Sequence, residues 1–437
     1  MISFFKSEKK FLIFIFVFAL VLRCSFAYIS YQKNVMVNFS DDKGYMDNAL
    51  QVIQQGPLIM NTNVIEEWFV GPGLPYLMAI QMLIFGKSWL VIFMFNALLG
   101  SFNVLLVYLL AKKITGSYPI AVIATCWCSI YILFIKYVPT AGKEPWMIFL
   151  FGSVIFLIIS ISAKKNYLRL AIMIFLYAYL IHLDERFFGF FPVIIFFLYY
   201  LNSDKKLGLK YVASFAVFVA LLMVPWLIRN YYVYHKVVVL TPRTEHLTDP
   251  IFGYKGSKYI ITDDQQMRWF ISESALDSIK NNGKVTYDNG EIIEQSELDA
   301  LRKGIRPQRL TPLESYISNF VILWKPVDFK ESFVENGYKF DGKWSWKHNL
   351  SSFLTYGLLI PFSIIGFFFL FRRNKKLAIF LLFIIIYYTL LHVFFIPITV
   401  NRYRVPIDMF IIISGACGIY RTYLNFKDKN NKSLDPA

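Results

Sequence analysis

WLVIFMFNALLGSFNVLLVYLLAKK, residues 89–113, decides the fold. No charge interrupts the apolar run from Trp89 to Ala111, and Lys112-Lys113 close it. A helix crossing the hydrocarbon core of a bilayer needs about 20 mostly apolar residues, and this run meets that length. Working outward, comparable runs lie near 9–30, 118–138, 145–162, 167–183, 187–201, 209–228, 351–371, 377–397 and 404–421. Together they predict an all-α polytopic membrane protein of about 10 transmembrane helices. Leu74–Phe85 is too short to span and begins at Pro75, so it is expected to lie along the membrane surface.

Composition agrees. Of 437 residues 57% are hydrophobic and 17% charged, against about 45–50% and about 25% in a soluble domain. That balance excludes disordered, fibrous and disulfide-rich classes and argues against a simple soluble enzyme. The four cysteines all sit in apolar runs, so no disulfide framework is expected. Lys6, Lys9 and Lys10 precede the first span as they would in a signal peptide. No small-x-small cleavage site follows, and Arg23 precedes Cys24, so an uncleaved anchor is expected.

The net charge of +16 is placed rather than spread. Basic clusters occur at Lys6/Lys9/Lys10, Lys112/Lys113, Lys164/Lys165/Arg169, Lys205/Lys206/Lys210, Arg372/Arg373/Lys375/Lys376 and in the tail at Arg421/Lys427/Lys429/Lys432. With ten spans they all fall on one side, which the positive-inside rule makes the cytoplasm of a plasma membrane, with both termini there. Residues 229–350 hold 17 Lys and Arg against 16 Asp and Glu. The surplus charge therefore orients the chain against lipid and does not signal nucleic acid. The expected organisation is a membrane region 1–228 with a first outer loop 31–88, a mixed extracytoplasmic segment 229–350, a second membrane region 351–421 and a basic tail 422–437. Within the outer segment, Leu313–Trp324 is expected at the membrane surface.

Candidate chemistry gathers on the outer side. Asp41-Asp42-Lys43-Gly44-Tyr45 follows the first span. Adjacent carboxylates can act as a general base or hold a divalent cation, and they equally cap a helix N-terminus. Gly71-Pro72-Gly73-Leu74-Pro75 reads as turn chemistry. Lys143-Glu144-Pro145 and His182-Leu183-Asp184-Glu185-Arg186 are charged turns between spans. Arg229-Asn230 ends the seventh span, and Arg402-Tyr403-Arg404 opens the tenth, beside Pro406, as a candidate anion site. Guanidinium matches phosphate oxygens in a bidentate way. No glycine-rich phosphate loop, zinc motif or Ser/His/Asp signature is present, and five histidines make a His-based metal centre unattractive.

The order Asp41-Asp42-x-x-Tyr45, Gly71-Pro72-Gly73-x-Pro75, Phe95-Asn96-Ala97-Leu98-Leu99-Gly100, Leu109–Gly116, Pro225-Trp226-x-x-Arg229-Asn230 and Arg402-Tyr403-Arg404-x-Pro406 resembles the polyprenyl-phosphate-sugar-dependent glycosyltransferases of the C-type (GT-C) membrane fold. Within that group it is similar to bacterial relatives of protein O-mannosyltransferases and of the lipid A aminoarabinose transferase. The resemblance implies a GT-C-like fold and an inverting transfer of sugar from a polyprenyl phosphate to an acceptor hydroxyl on lipid, glycan or protein. It implies a catalytic base at Asp41 or Asp42, with Glu144 as a second acidic residue. It further implies donor-phosphate contacts from Lys143, Arg186, Arg229, Arg402 and Arg404, with Tyr45 and Tyr403 lining the cavity. Many members carry Asp-Glu where this chain has Asp41-Asp42, which leaves the catalytic carboxylate open. No cofactor is assigned; a divalent cation is compatible. A polysaccharide polymerase or ligase of similar fold, a lipid-linked sugar flippase and a non-catalytic lipid-sugar-binding protein are the competing readings.

Overall fold

The computed structural model describes residues 7–33, 39–56, 71–163, 165–234, 237–240, 257–261, 267–272, 284–286, 292–294, 308–326, 332–335, 338–341, 346–396 and 398–433. Lys6, Lys164, much of the 229–350 segment and the side chain of Asp41 lie outside the described set. Among the described residues, seven helices are long and apolar enough to cross a membrane: Glu8–Gln32, Trp89–Thr115, Glu144–Ser162, Lys205–Val233, Asn349–Arg373, Lys375–Phe394 and Asn401–Lys427. The chain is a multi-pass membrane protein.

In order, the helices used below are α1 (Glu8–Gln32), α2 (Phe39–Gln55), α3 (Gly73–Phe85), α4 (Trp89–Thr115), α5 (Tyr118–Ile130), α6 (Ile132–Lys136), α7 (Glu144–Ala163), α8 (Tyr167–Leu183), α9 (Phe191–Tyr200), α10 (Lys205–Tyr234), α11 (Pro312–Trp324), α12 (Trp346–Ser352), α13 (Leu359–Arg373), α14 (Lys375–Phe394) and α15 (Val405–Ser433). Each long helix coincides with a predicted span. The remaining three predicted spans are not single membrane-length helices. The fifth, α8, has 17 residues. The sixth divides into a 3-10 segment Glu185–Phe190 and α9, where Pro192 sits in the first turn.

The third span breaks at Tyr131, whose φ of −65° and ψ of 115° are extended. The break leaves carbonyls unsatisfied inside the bundle, which hydrocarbon does not tolerate. Arg23 of α1 supplies the donors. Its guanidinium donates to the Ser129 carbonyl at 3.1 Å and the Cys128 carbonyl at 3.4 Å, and the residue has no solvent exposure. Gly100 on α4 admits it, because a Cβ there would lie 3.0 Å from the Arg23 side chain. Arg23 is thus a buried cap on a broken helix rather than a charge reaching for headgroups.

The ninth predicted span ends early. Helix α14 stops at Phe394, and Ile398–Thr399 pairs with a strand instead. Pro397, which lies outside the described set, has no N–H to continue the helix.

Two observations set the helix ends side by side. Lys112 at the end of α4 pairs with Glu8 at the start of α1 at 2.6 Å. A Cβ on Gly116 would lie 3.5 Å from an Arg373 nitrogen at the end of α13. Three of the basic clusters therefore share one end of the bundle, as the charge pattern requires.

Helices α13 and α15 make the tightest approach. A Cβ on Gly366 would overlap the Ser414 carbonyl oxygen, and one on Gly418 would overlap that of Phe362. Such small-residue contacts are how helices pack without a hydrophobic drive between them. Gly366→Ala is expected to destabilise by about 1–3 kcal/mol, because the obstacle is backbone and only a helix shift relieves it. Gly44→Ala on α2 meets nothing within 4 Å and should instead be neutral or stabilising by about 0.5–1 kcal/mol. Unfolding midpoints in one detergent compare the two; equal effects would refute the close-contact account.

The chain divides into two compact units, one of residues 1–244, 351–388 and 404–437, the other of 245–350 and 389–403. The second unit holds eight described strands, β1 to β8 in chain order. Two antiparallel hairpins, Ser257–Ile261 with Met267–Ser272 and Lys284–Thr286 with Ile292–Glu294, are joined in this unit by a four-stranded sheet. Its order is β5 (Gln308–Arg309), β7 (Tyr338–Asp341), β6 (Ser332–Glu335), β8 (Ile398–Thr399). Thr311 and Glu314 form a reciprocal capping box that starts α11. Asn319 of α11 donates to the Val393 carbonyl at 3.1 Å. Leu313, Ile317, Phe320 and Val321 remain exposed along one face of α11, the pattern of an interfacial helix.

Candidate functional site

The predicted acidic turns come together in the first unit, and α4 is their foundation. Asn96 donates from Nδ2 to the Thr140 carbonyl at 2.7 Å, and Asn103, two turns on, donates to the Pro145 carbonyl at 2.9 Å. These contacts pin the turn that carries Lys143 and Glu144. Glu144 opens α7, where the helix dipole favours a carboxylate. Its side chain folds back over Gly142, where any Cβ would strike Glu144 Oε2.

Asp184 is the hub. It ends α8 and caps the following 3-10 segment by accepting from the Arg186 backbone N–H at 3.0 Å. The same oxygen accepts from Arg186 Nε at 2.7 Å, and Oδ2 accepts from Arg186 Nη2 and pairs with Lys143 Nζ at 2.8 Å. Burial pulls the Asp184 pKa up, but Arg186 and then Lys143 outweigh it and hold the carboxyl well below the usual range. Burial pulls Lys143 down; Asp184, then Tyr45 and Glu185 outweigh that and the repulsion of Arg186, leaving the ammonium above the usual lysine range.

The signs give a pH window. A depressed carboxylate contributes stability above its unfolded pKa, near 3.9, and loses it only as pH falls through the folded value. A raised lysine contributes below its unfolded pKa, near 10.4, and loses it only as pH rises through the folded value. The stability gap between the wild type and Asp184→Asn is therefore expected to stay constant from about pH 5 to about pH 9. A gap that closes inside that interval would show that this trio is not ionised as described.

Helix α2 buries one of its faces. Asp42, Tyr45, Met46 and Ala49 share that face, and Asp42 has no solvent exposure. Tyr45 lies one turn from Asp42 on this face. A fully buried carboxylate persists only with compensating partners. Asp41 lies in the same helix, its side chain outside the described set.

Gly71 and Gly73 flank the turn at Pro72 that leads into α3. Neither has positive φ; both press against backbone. A Cβ on Gly71 would strike the His182 carbonyl, and one on Gly73 would lie 2.6 Å from Leu183 N. Tyr179 adds a hydrogen bond to the Gly73 carbonyl at 2.7 Å. The start of α3 is thus fastened to the residues just before Asp184.

Arg229 reaches the same region. Its guanidinium lies 4.8 Å from the Trp226 ring and donates to Asn230 Oδ1 at 3.0 Å. Trp226 in turn contacts Tyr76 of α3 and His182 of α8, each with centroids 6.4 Å away. Trp226 and Asn230 also bind backbone: Trp226 Nε1 donates to the Leu240 carbonyl at 2.7 Å, and Asn230 Nδ2 to the Val238 carbonyl at 2.9 Å. The Pro-Trp-x-x-Arg-Asn motif therefore docks the chain leaving α10.

Arg404, expected with Arg402 as an anion site, is paired inside the bundle. Arg404 is 1% exposed, donates from Nε to Asp408 Oδ1 at 2.7 Å and stacks 3.5 Å from the Tyr356 ring. The other oxygen of Asp408 accepts from Tyr131 Oη at 2.8 Å, at the break between α5 and α6. A π-helical segment, Phe353–Gly357, presents Tyr356 and frees the Thr355 carbonyl for Trp127 Nε1 at 2.6 Å. Arg402 belongs to the second unit with Tyr403, whose ring lies 5.6 Å from it and 5.6 Å from His392. Asp408, one turn past Arg404 on α15, was the missed signal.

Among the described residues no three His, Cys, Asp or Glu side chains gather as a metal site, and the four cysteines are free.

No family model and no curated protein matches the chain. Among solved structures it is similar to an Archaeoglobus fulgidus oligosaccharyltransferase, crystallised in complex with Zn and sulfate. Identity is 15% and the TM-score 0.47, over 82% of this chain and 41% of that one. This chain thus corresponds to well under half of that protein. A likeness of that size fixes neither a family nor a reaction.

Proposed function

We propose that the protein is an integral membrane glycosyltransferase. It moves a sugar from a polyprenyl-phosphate donor to an acceptor hydroxyl on the extracytoplasmic side of the cell membrane, with inversion. The observation that carries this reading is the buried Lys143–Asp184–Arg186 cluster, which joins two of the charged turns, with the fully buried Asp42 of α2 as the candidate base. A base carboxylate and fixed cations for a departing phosphate are what the reaction needs. Asp42 takes the proton from the acceptor hydroxyl as that oxygen attacks the anomeric carbon. The bond to the lipid phosphate breaks on the opposite face, by analogy with single-displacement glycosidases.

The phosphate leaves as an anion and gains from fixed positive charge. Lys143 and Arg186, both held on Asp184, are the cations proposed to meet it, with Arg229 as a further candidate. Asp184 then holds the cations in place rather than reacting. Because Asp42 is closed off from solvent, an acceptor reaches it only by displacing what covers it, which also keeps water from the donor.

Release of free polyprenyl phosphate by purified protein, offered a panel of polyprenyl-phosphate sugars with an acceptor extract, tests the reading. Release from one donor supports it and names the sugar. No release from any donor, with the protein folded, moves the assignment to polymerase, ligase or transport.

A further inference from the structure

A groove of about 690 Å³ opens between α13 and α15 at the end of the bundle that carries Lys112 and Arg373. Ile365, Phe368, Phe369 and Arg372 follow helical spacing along one wall, and Arg421 and Asn425, one turn apart, form the other. The wall changes character along its length. Ile365 and Phe368 are exposed, Phe368 by 70%, and offer a hydrocarbon surface. A turn further out the groove ends in guanidinium groups. Arg421 is held with its guanidinium 5.9 Å from the Phe369 ring. Arg373 joins it from beside the glycine that ends α4. No carboxylate lines the groove among the described residues.

Clustered guanidiniums without a carboxylate repel one another until an anion sits among them. A free phosphate would satisfy the arginines but has no use for the apolar wall. A phospholipid uses both, its chains along Ile365 and Phe368 and its phosphate between the arginines. Guanidinium is the side chain whose geometry fits phosphate oxygens, and basic pockets between spans on this side suit anionic headgroups. We infer that this groove binds the phosphate of an anionic glycerophospholipid from the leaflet on the basic side, with Arg372 and Arg421 as its ligands. The site is separate from the acidic turns and does not depend on the reaction proposed for them.

The test reconstitutes the full chain in nanodiscs of phosphatidylcholine with a minor share of phosphatidylglycerol. Native mass spectrometry counts the phosphatidylglycerol retained on release. Arg372→Gln/Arg421→Gln is expected to lower retention roughly ten- to thirty-fold. Lys375→Gln/Lys376→Gln removes the same charge from the same end outside the groove and should retain it. Equal loss from both pairs would mean a diffuse field and would overturn the site, as would unchanged retention in the arginine pair. Displacement of the lipid by millimolar inorganic phosphate would overturn it in favour of a free-anion site. Should the arginine variant fail to fold, wild-type protein decides: short-chain phosphatidylglycerol must raise the unfolding midpoint above matched phosphatidylcholine, and no rise rejects the proposal.

Discussion

Asp42→Asn is expected to lower sugar transfer by about 10²- to 10⁴-fold, the range a positioned general base supplies. The amide fills the same volume on the buried face of α2 but cannot take the acceptor's proton. Folding should be preserved, because Tyr45, Met46 and Ala49 still bury that face. The measurement is turnover, read as released polyprenyl phosphate, beside the unfolding midpoint of each variant. Asp41→Asn and Glu144→Gln belong in the same series, since Asp41 adjoins Asp42 and Glu144 is the second acidic residue that the resemblance implies. Wild-type turnover in Asp42→Asn would pass the base to one of those two. Wild-type turnover in all three would remove carboxylate base catalysis from this protein. A collapse of stability in Asp42→Asn would make the residue structural.

The second large effect lies in the Arg404–Asp408 pair. Asp408→Asn is expected to destabilise by about 3–5 kcal/mol, because it leaves a buried guanidinium without its carboxylate. Arg404→Met/Asp408→Leu should recover most of that loss, since an apolar pair carries no desolvation penalty. Tyr131→Phe removes one hydrogen bond to a charged group and should cost about 1.5–3 kcal/mol. Denaturant unfolding in a single detergent ranks the three. If the double variant is as unstable as Asp408→Asn, the pair does more than neutralise itself, and the break at Tyr131 depends on it.

These cases show how far the chain could be read without coordinates. The run from Trp89 to Ala111 is legible because every residue in it faces either lipid or other helices, and hydrophobicity reports that directly. The third span reads as one helix for the same reason, yet it breaks at Tyr131. What permits the break is Arg23, more than a hundred positions earlier, and no local pattern encodes such a partner. Gly71 and Gly73 look like turn residues because glycine usually is one. Their use here is close approach to residues 182–183, which only the folded chain reveals. Asp184 stood in a charged turn among Glu185 and Arg186, and nothing in spacing singles it out as the residue that gathers Lys143 and Arg186. Arg402 and Arg404 look paired by proximity in sequence, whereas their partners, Tyr403 and Asp408, differ in kind.

The sequence alone determined that this is a helical membrane protein and where its apolar runs lie, though not which of them form unbroken helices, and it anticipated that three of its basic clusters share one end. Those properties follow from transfer free energies and charge placement, and each is a sum over neighbouring residues. The tertiary structure alone decided which charges are paired, which glycines admit a second backbone and which carboxylate meets the cations. Those properties depend on contacts between residues far apart in the chain, and inside a low-dielectric bundle the partner, not the residue type, sets what a charge can do.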